Sequence, residues 1–145
     1  MSKTSFEEIL ARDGKLTYTN VGTSMLPLLR QGKDLFTVTR KGRERCRAGD
    51  VVLYRRPPDS YVLHRIVEVR PDGYVLLGDN CVQKEFGIRE EDILGVMTAF
   101  VRNGKEHSVT EPAYRAFTAM CLKTIPARVA GKKLYRRMKK LLHGK

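Results

Sequence analysis

The 145-residue sequence contains no apolar run near the ~20 residues that a membrane-spanning helix requires. Its first residues, Met1 to Glu8, also lack the apolar stretch of a secretory signal. We therefore expect a protein that remains in the cytoplasm. The composition, 41% hydrophobic and 30% charged, suffices for the core of one domain and excludes a multidomain machine.

Cysteines are few, and their spacing excludes the usual cysteine-based sites. Cys46, Cys81 and Cys121 are odd in number and form no C-x-x-C pair. His107 and His143 have no metal-ligand pattern around them. We expect neither a disulfide framework, nor a metal, nor a cofactor.

Acidic residues are absent from residues 112–145, which contain ten Lys or Arg. Most of the net charge of +12 therefore lies in this tail, and residues 1–111 are nearly balanced. The change in composition predicts two parts: a β-domain with a short N-terminal helix over 1–111, and a basic amphipathic helical tail over 112–145.

The hydrophobic pattern of residues 15–109 is typical of strands. β-Branched and aromatic residues recur in short runs separated by turn residues such as those at 57–59; the runs are 16–18, 35–39, 51–54, 61–69, 74–77 and 93–101. The spacing predicts a mainly β fold, either a coiled antiparallel sheet or a small barrel.

Helices are predicted at the two ends of the chain. A short one begins after a cap at Thr4 or Ser5 and stops at Asp13-Gly14. In the tail, helix formers over 113–123 are separated by Pro126 from a basic amphipathic helix over 128–143.

Three short segments contain residues suited to nucleophilic catalysis. Ser24 lies in a turn bracketed by Gly22 and Pro27, and His64 lies on an apolar strand. Asp79 follows Gly78 at a strand end, where a carboxylate could orient an imidazole. Each segment alone also has an ordinary structural explanation, as a turn or as a packed histidine.

The order of the segments is more specific. The chain resembles type I signal peptidases and the self-cleaving repressors of the bacterial damage response in five successive boxes: Gly22-x-Ser24-Met25-x-Pro27, Gly49-Asp50-Val51-Val52-Leu53-Tyr54, Leu63-His64-Arg65-Ile66-Val67, Gly78-Asp79-Asn80 and Ile93-Leu94-Gly95-Val96. Most bacterial members use a lysine where this chain has His64, so the closest resemblance is to the subgroup with a Ser–His pair.

The resemblance implies a role for each matching residue. Ser24 would be the nucleophile of a serine endopeptidase, and His64 its general base. Asp79 would be the acid that supports His64, with Glu85 as a possible second acid. The residues flanking Ser24 would form the oxyanion hole and substrate cleft: Gly22, Thr23 and Met25. The substrate would be a peptide, a protein or the chain itself.

The basic tail suggests functions other than a peptidase. Residues 128–143 could lie on an anionic membrane surface, at the inner face of the membrane. Alternatively, Leu134, Met138 and Leu141 could pack on the β-domain and leave the cations as a solvated face. A catalytically inactive module that binds membrane or an acidic partner is the main alternative to a peptidase. Nucleic-acid binding is the least favoured, because no reading motif is present.

Overall fold

The computed structural model describes residues 5–56 and 60–143, and its first element is the predicted N-terminal helix. Helix α1, Phe6–Asp13, is capped by Ser5, whose Oγ accepts the N–H of Glu8 at 3.1 Å. It ends at Gly14, whose positive φ of 77° is accessible to glycine at little cost. The alternative cap Thr4 and the predicted turn at 57–59 lie outside the described residues.

The centre of the molecule is an antiparallel sheet. The described residues form eight strands: β1 Lys15–Thr19, β2 Leu35–Arg40, β3 Val51–Arg56, β4 Ser60–Arg70, β5 Gly73–Leu77, β6 Glu85–Ile88, β7 Ile93–Arg102 and β8 Lys105–Ser108. The order across the sheet is β1-β2-β7-β3-β4-β5-β6, with β8 paired to β7. The mainly β fold is confirmed, and the sheet is not closed into a barrel.

Both faces of the sheet are covered by apolar side chains. One cluster joins α1 and the start of the C-terminal helix to the sheet through residues such as Leu10, Phe36 and Tyr114. The other contains Tyr54 and Ile66. Because side chains alternate along a strand, neighbouring residues of β4 face opposite clusters. His64 and Arg65 are therefore directed to different surroundings.

The tail forms one helix instead of the two predicted. Helix α2, Pro112–His143, continues through Pro126, so the prediction that proline separates two helices is wrong. Proline removes one N–H donor from the helix. Here side chains on the turns before and after Pro126 hold the helix in place. On the preceding turn Thr124 Oγ1 donates to the carbonyl of Met120 at 2.7 Å, and Ile125 is buried. On the following turn Arg128 donates to the carbonyl of Asp79.

The two halves of α2 have different surroundings. Tyr114, Cys121 and Ile125 in the first half are buried, and Tyr114 belongs to the cluster that covers the sheet. In the second half Leu134 and Leu141 remain 58% and 82% exposed, so these side chains do not pack on the β-domain. No helix in the described part of the chain is both long enough and apolar enough to cross a membrane.

Candidate active site

Ser24 lies in the loop between β1 and β2, which is fixed from inside by a buried asparagine. The side-chain amide of Asn20 donates to the carbonyl of Gly22 at 3.3 Å and to that of Leu29 at 3.2 Å. Gly22 has a φ of 82°, which favours glycine. Met25 is only 1% exposed and belongs to the core, whereas Thr23 is exposed and Ser24 half-buried. The loop thus presents Ser24 at the surface of a fixed frame.

The turn after β5 clamps this loop from outside. The backbone N–H of Asn80 donates to the carbonyl of Ser24 at 2.8 Å, and its side-chain amide donates to that of Thr23 at 3.1 Å. A Cβ built on Gly78 would lie 2.8 Å from the Ser24 carbonyl oxygen and 3.0 Å from Nε2 of His64. Glycine at this position therefore lets the Ser24 loop and the imidazole approach each other.

His64 is buried, with its two ring nitrogens in different surroundings. Nδ1 lies 3.3 Å from the Tyr54 hydroxyl and 3.5 Å from Oε1 of Glu85. The Tyr54 hydroxyl in turn donates to Glu85 at 2.7 Å. A neutral imidazole with its proton on Nδ1 would donate toward Tyr54 and leave Nε2, beside Gly78, free to accept a proton.

The charges around the imidazole favour a neutral base held beside an ionised acid. Burial lowers the pKa of His64, and the nearby charge of Glu85 opposes this effect only in part. Burial by itself would raise the pKa of Glu85, but hydrogen bonds from Arg56 and Tyr54 bring it below its usual value. At neutral pH the site therefore combines an uncharged His64 with a carboxylate.

Asp79 has a different set of partners from Glu85. Its two carboxylate oxygens accept from Nε and Nη2 of Arg65 at 2.7 and 2.8 Å, and both side chains are buried. Arg65 also donates to the carbonyl of Gly49 at 2.8 Å and to Thr118 on α2 at 3.1 Å. Of the two predicted acids, Glu85 thus lies against the imidazole, and Asp79 joins the sheet to α2.

The hydroxyl of Ser24 is not hydrogen-bonded to His64, and among the described residues the Ser24 N–H donates to no group. Hydrogen bonds between catalytic groups are often long or unformed without substrate. Cys81 also lies beside Gly78, with Sγ 2.7 Å from the same built Cβ. Burial raises the pKa of this thiol, which disfavours the reactive thiolate.

Sequence reasoning missed the residues that complete the site. Tyr54 and Arg56 are on β3, and their approach to Glu85 depends on the pairing of β3 with β4 and of β5 with β6. Lys132 on α2 reaches the carbonyl and side-chain oxygens of Asn80 at 2.6 and 2.9 Å. The Gly49–Tyr54 box contained a signal for Tyr54, but strand register is needed to use it.

Comparisons with known proteins assign this chain to no family. No family model matches the chain, and neither does any curated protein or solved structure. The described residues also contain no cluster of three or more His, Cys, Asp or Glu side chains that could hold a metal ion.

Proposed function

We propose that the chain is a serine endopeptidase of the signal-peptidase-like type, which hydrolyses a peptide bond in a substrate or in itself. The observation that carries the proposal is the placement of His64, whose Nδ1 faces Tyr54 and Glu85 while Nε2 faces the space beside the Ser24 loop. A serine hydroxyl needs such a base, because it is a weak nucleophile at neutral pH.

The proposed mechanism uses only groups of this chain. His64 Nε2 takes the proton of Ser24 as Oγ attacks the peptide carbonyl, and the unengaged N–H of Ser24 donates to the oxyanion that forms. The imidazolium then gives its proton to the leaving amine. Water, deprotonated by the same base, hydrolyses the acyl-enzyme and restores the hydroxyl.

Glu85 and Tyr54 act through His64 in this mechanism. When His64 accepts the proton, its positive charge forms 3.5 Å from the Glu85 carboxylate. Glu85 therefore stabilises the imidazolium, and the Tyr54 hydroxyl between them orients the ring. Asp79 contributes by holding the turn whose next residue clamps the Ser24 loop.

The test is the pH dependence of labelling by a fluorophosphonate probe. Labelling of the wild type is expected to rise with pH and to reach half its maximum below pH 6.5, since burial lowers the pKa of His64 from its usual 6.5. Ser24→Ala and His64→Ala should abolish it. His107→Ala is the matched control, because His107 pairs with Glu111 at 3.0 Å outside the site. Equal labelling of wild type and Ser24→Ala would refute the proposal.

A non-catalytic module at the inner face of the membrane is the second candidate, favoured by the exposed second half of α2. Large apolar side chains are exposed there among cations: Leu134, Tyr135, Met138, Leu141 and Leu142. Such a helix can bind anionic lipid. Because Tyr114 and Ile125 are buried in the fold, the test is substitution of Leu134, Met138 and Leu141 by Ser instead of removal of the tail. Unchanged sedimentation with phosphatidylserine vesicles would exclude this candidate.

A further inference from the structure

A groove leads away from His64 between the segment after β5 and the second half of α2. It consists of two adjoining cavities of about 480 and 590 Å³, of which the first is bounded by His64. The two cavities share four lining residues: Val82, Gln83, Lys84 and Arg136. A ligand that occupies the groove would therefore extend directly from His64.

The walls of the groove carry positive charge that is not held in ion pairs. Lys84, Lys133 and Arg136 line it, and none of them forms a salt bridge or hydrogen bond with another described residue. Glu85 is the acidic residue of the lining, and its carboxylate is already held by Arg56 and Tyr54. No acid of the described residues lines the second cavity. The groove thus presents a cationic surface to its occupant.

Apolar surface accompanies these charges. Val82 and Val129 line the second cavity and are partly buried, and the ring of Phe86 beside them is 60% exposed. An occupant that satisfies both features has carboxylates for the cations and at least one apolar side chain for this surface.

We infer that the groove binds an acidic segment of the peptide substrate, adjacent to the bond that is cleaved. The inference rests on the proposed function, because it places the occupant next to His64, the proposed general base. A concave groove continuous with the site fits an extended chain. A flat lipid surface would instead meet the stripe of Leu134, Met138 and Leu141, which is rotated by about 140° from the stripe of Val129, Lys133 and Arg136.

The experiment measures binding without catalysis. A fluorescent peptide of sequence Glu-Glu-Leu-Glu-Glu-Leu is titrated with Ser24→Ala protein and followed by fluorescence anisotropy, beside the same peptide with Gln in place of every Glu. The groove variant carries Lys84→Gln, Lys133→Gln and Arg136→Gln. The matched control removes three cations of α2 that do not line the groove, by Arg137→Gln, Lys139→Gln and Lys140→Gln.

The acidic peptide is expected to bind more tightly than the Gln peptide. The groove variant should weaken its binding about tenfold, since each exposed charge pair contributes up to a few-fold, and the control should weaken it less than about threefold. Equal binding of the two peptides, or an equal loss in both variants, would overturn the inference. The inference would also be overturned if the groove variant bound the acidic peptide as tightly as the unmodified groove and lost only its binding to phosphatidylserine vesicles. Because peptide binding is measured with Ser24→Ala protein, a failure of peptide binding is distinct from a failure of probe labelling, which tests the proposed function.

Discussion

Replacing Asp79 by Asn tests the distinction between the two acids most directly. Arg65 is 1% exposed and lies against Asp79 through two short hydrogen bonds. Asparagine keeps the size of the side chain but removes its charge, and its NH2 group would face a guanidinium N–H. The substitution therefore leaves a buried cation without its counter-charge.

The expected cost follows from the burial of the pair. Removing one partner of a buried ion pair costs about 3–5 kcal/mol, because the remaining charge is still desolvated. Small domains are stable by roughly 5–15 kcal/mol, so the variant should remain folded near room temperature but with a much reduced margin. The exposed turn residue Asp72 provides the matched control, since Asp72→Asn should change stability by less than about 0.5 kcal/mol.

Urea unfolding followed by circular dichroism gives the free energies, and Arg65→Met completes a double-mutant cycle. The double variant should be more stable than the sum of the single effects predicts, by about 2 kcal/mol. Folded Asp79→Asn protein should still be labelled in a His64-dependent manner. A loss below about 1 kcal/mol together with abolished labelling would refute the reasoning and restore Asp79 as the acid that supports His64.

Three further substitutions test other parts of the site and the end of the loop between β1 and β2. Glu85→Gln should reduce maximal labelling at least about tenfold and shift its midpoint to lower pH, because the carboxylate that raises the pKa of His64 is lost while Arg56 remains; an unchanged pH profile would contradict this role. Gly78→Ala should destabilise the protein by about 1–3 kcal/mol in urea unfolding, since the new methyl group overlaps the Ser24 carbonyl and His64. The control Gly42→Ala should change the free energy of unfolding little, because nothing lies within 4 Å of a Cβ at that position. Equal effects of the two substitutions would exclude steric overlap as the explanation. Asp34→Asn should cost about 1–2 kcal/mol at pH 7, because hydrogen bonds from Arg30 lower the pKa of Asp34 from 3.8 to about 2. That stability is present above pH 3.8 and is lost as pH falls through 2, so a difference between the proteins that persists at pH 2 would contradict the assignment.

Much of the fold could be predicted from the sequence because the local signals agree with one another. Alternating apolar residues and turn chemistry located β1 to β5 and β7, and Ser5 with Gly14 marked the ends of α1. Strands β6 and β8 were missed because they are four residues long and contain no buried residue. Their sequences carry little apolar alternation, so pairing with a neighbouring strand determines them.

The sequence predicted several residues of the candidate site but not which of them contact one another. Which acid lies beside His64 depends on how β4, β5 and β6 align, and a shift of one residue would exchange the faces of a strand. The alternation of β4 also separates His64 from Arg65, so the same strand supplies an imidazole on one face and a cation paired with Asp79 on the other. Composition and residue order contain neither fact.

Part of the strongly basic tail packs with the sheet, although its charge composition sets it apart. Charge composition changes at residue 112, but packing changes further along the same helix, after the buried Ile125. Beyond that point the cations have different partners: Lys132 binds the oxygens of Asn80, and Lys133 and Arg136 face the groove. Asn80 in turn clamps the Ser24 loop. Because α2 contains no acids, its cations form no ion pairs within the helix. They are therefore available to bind backbone oxygens at the site and the negative charges of a ligand.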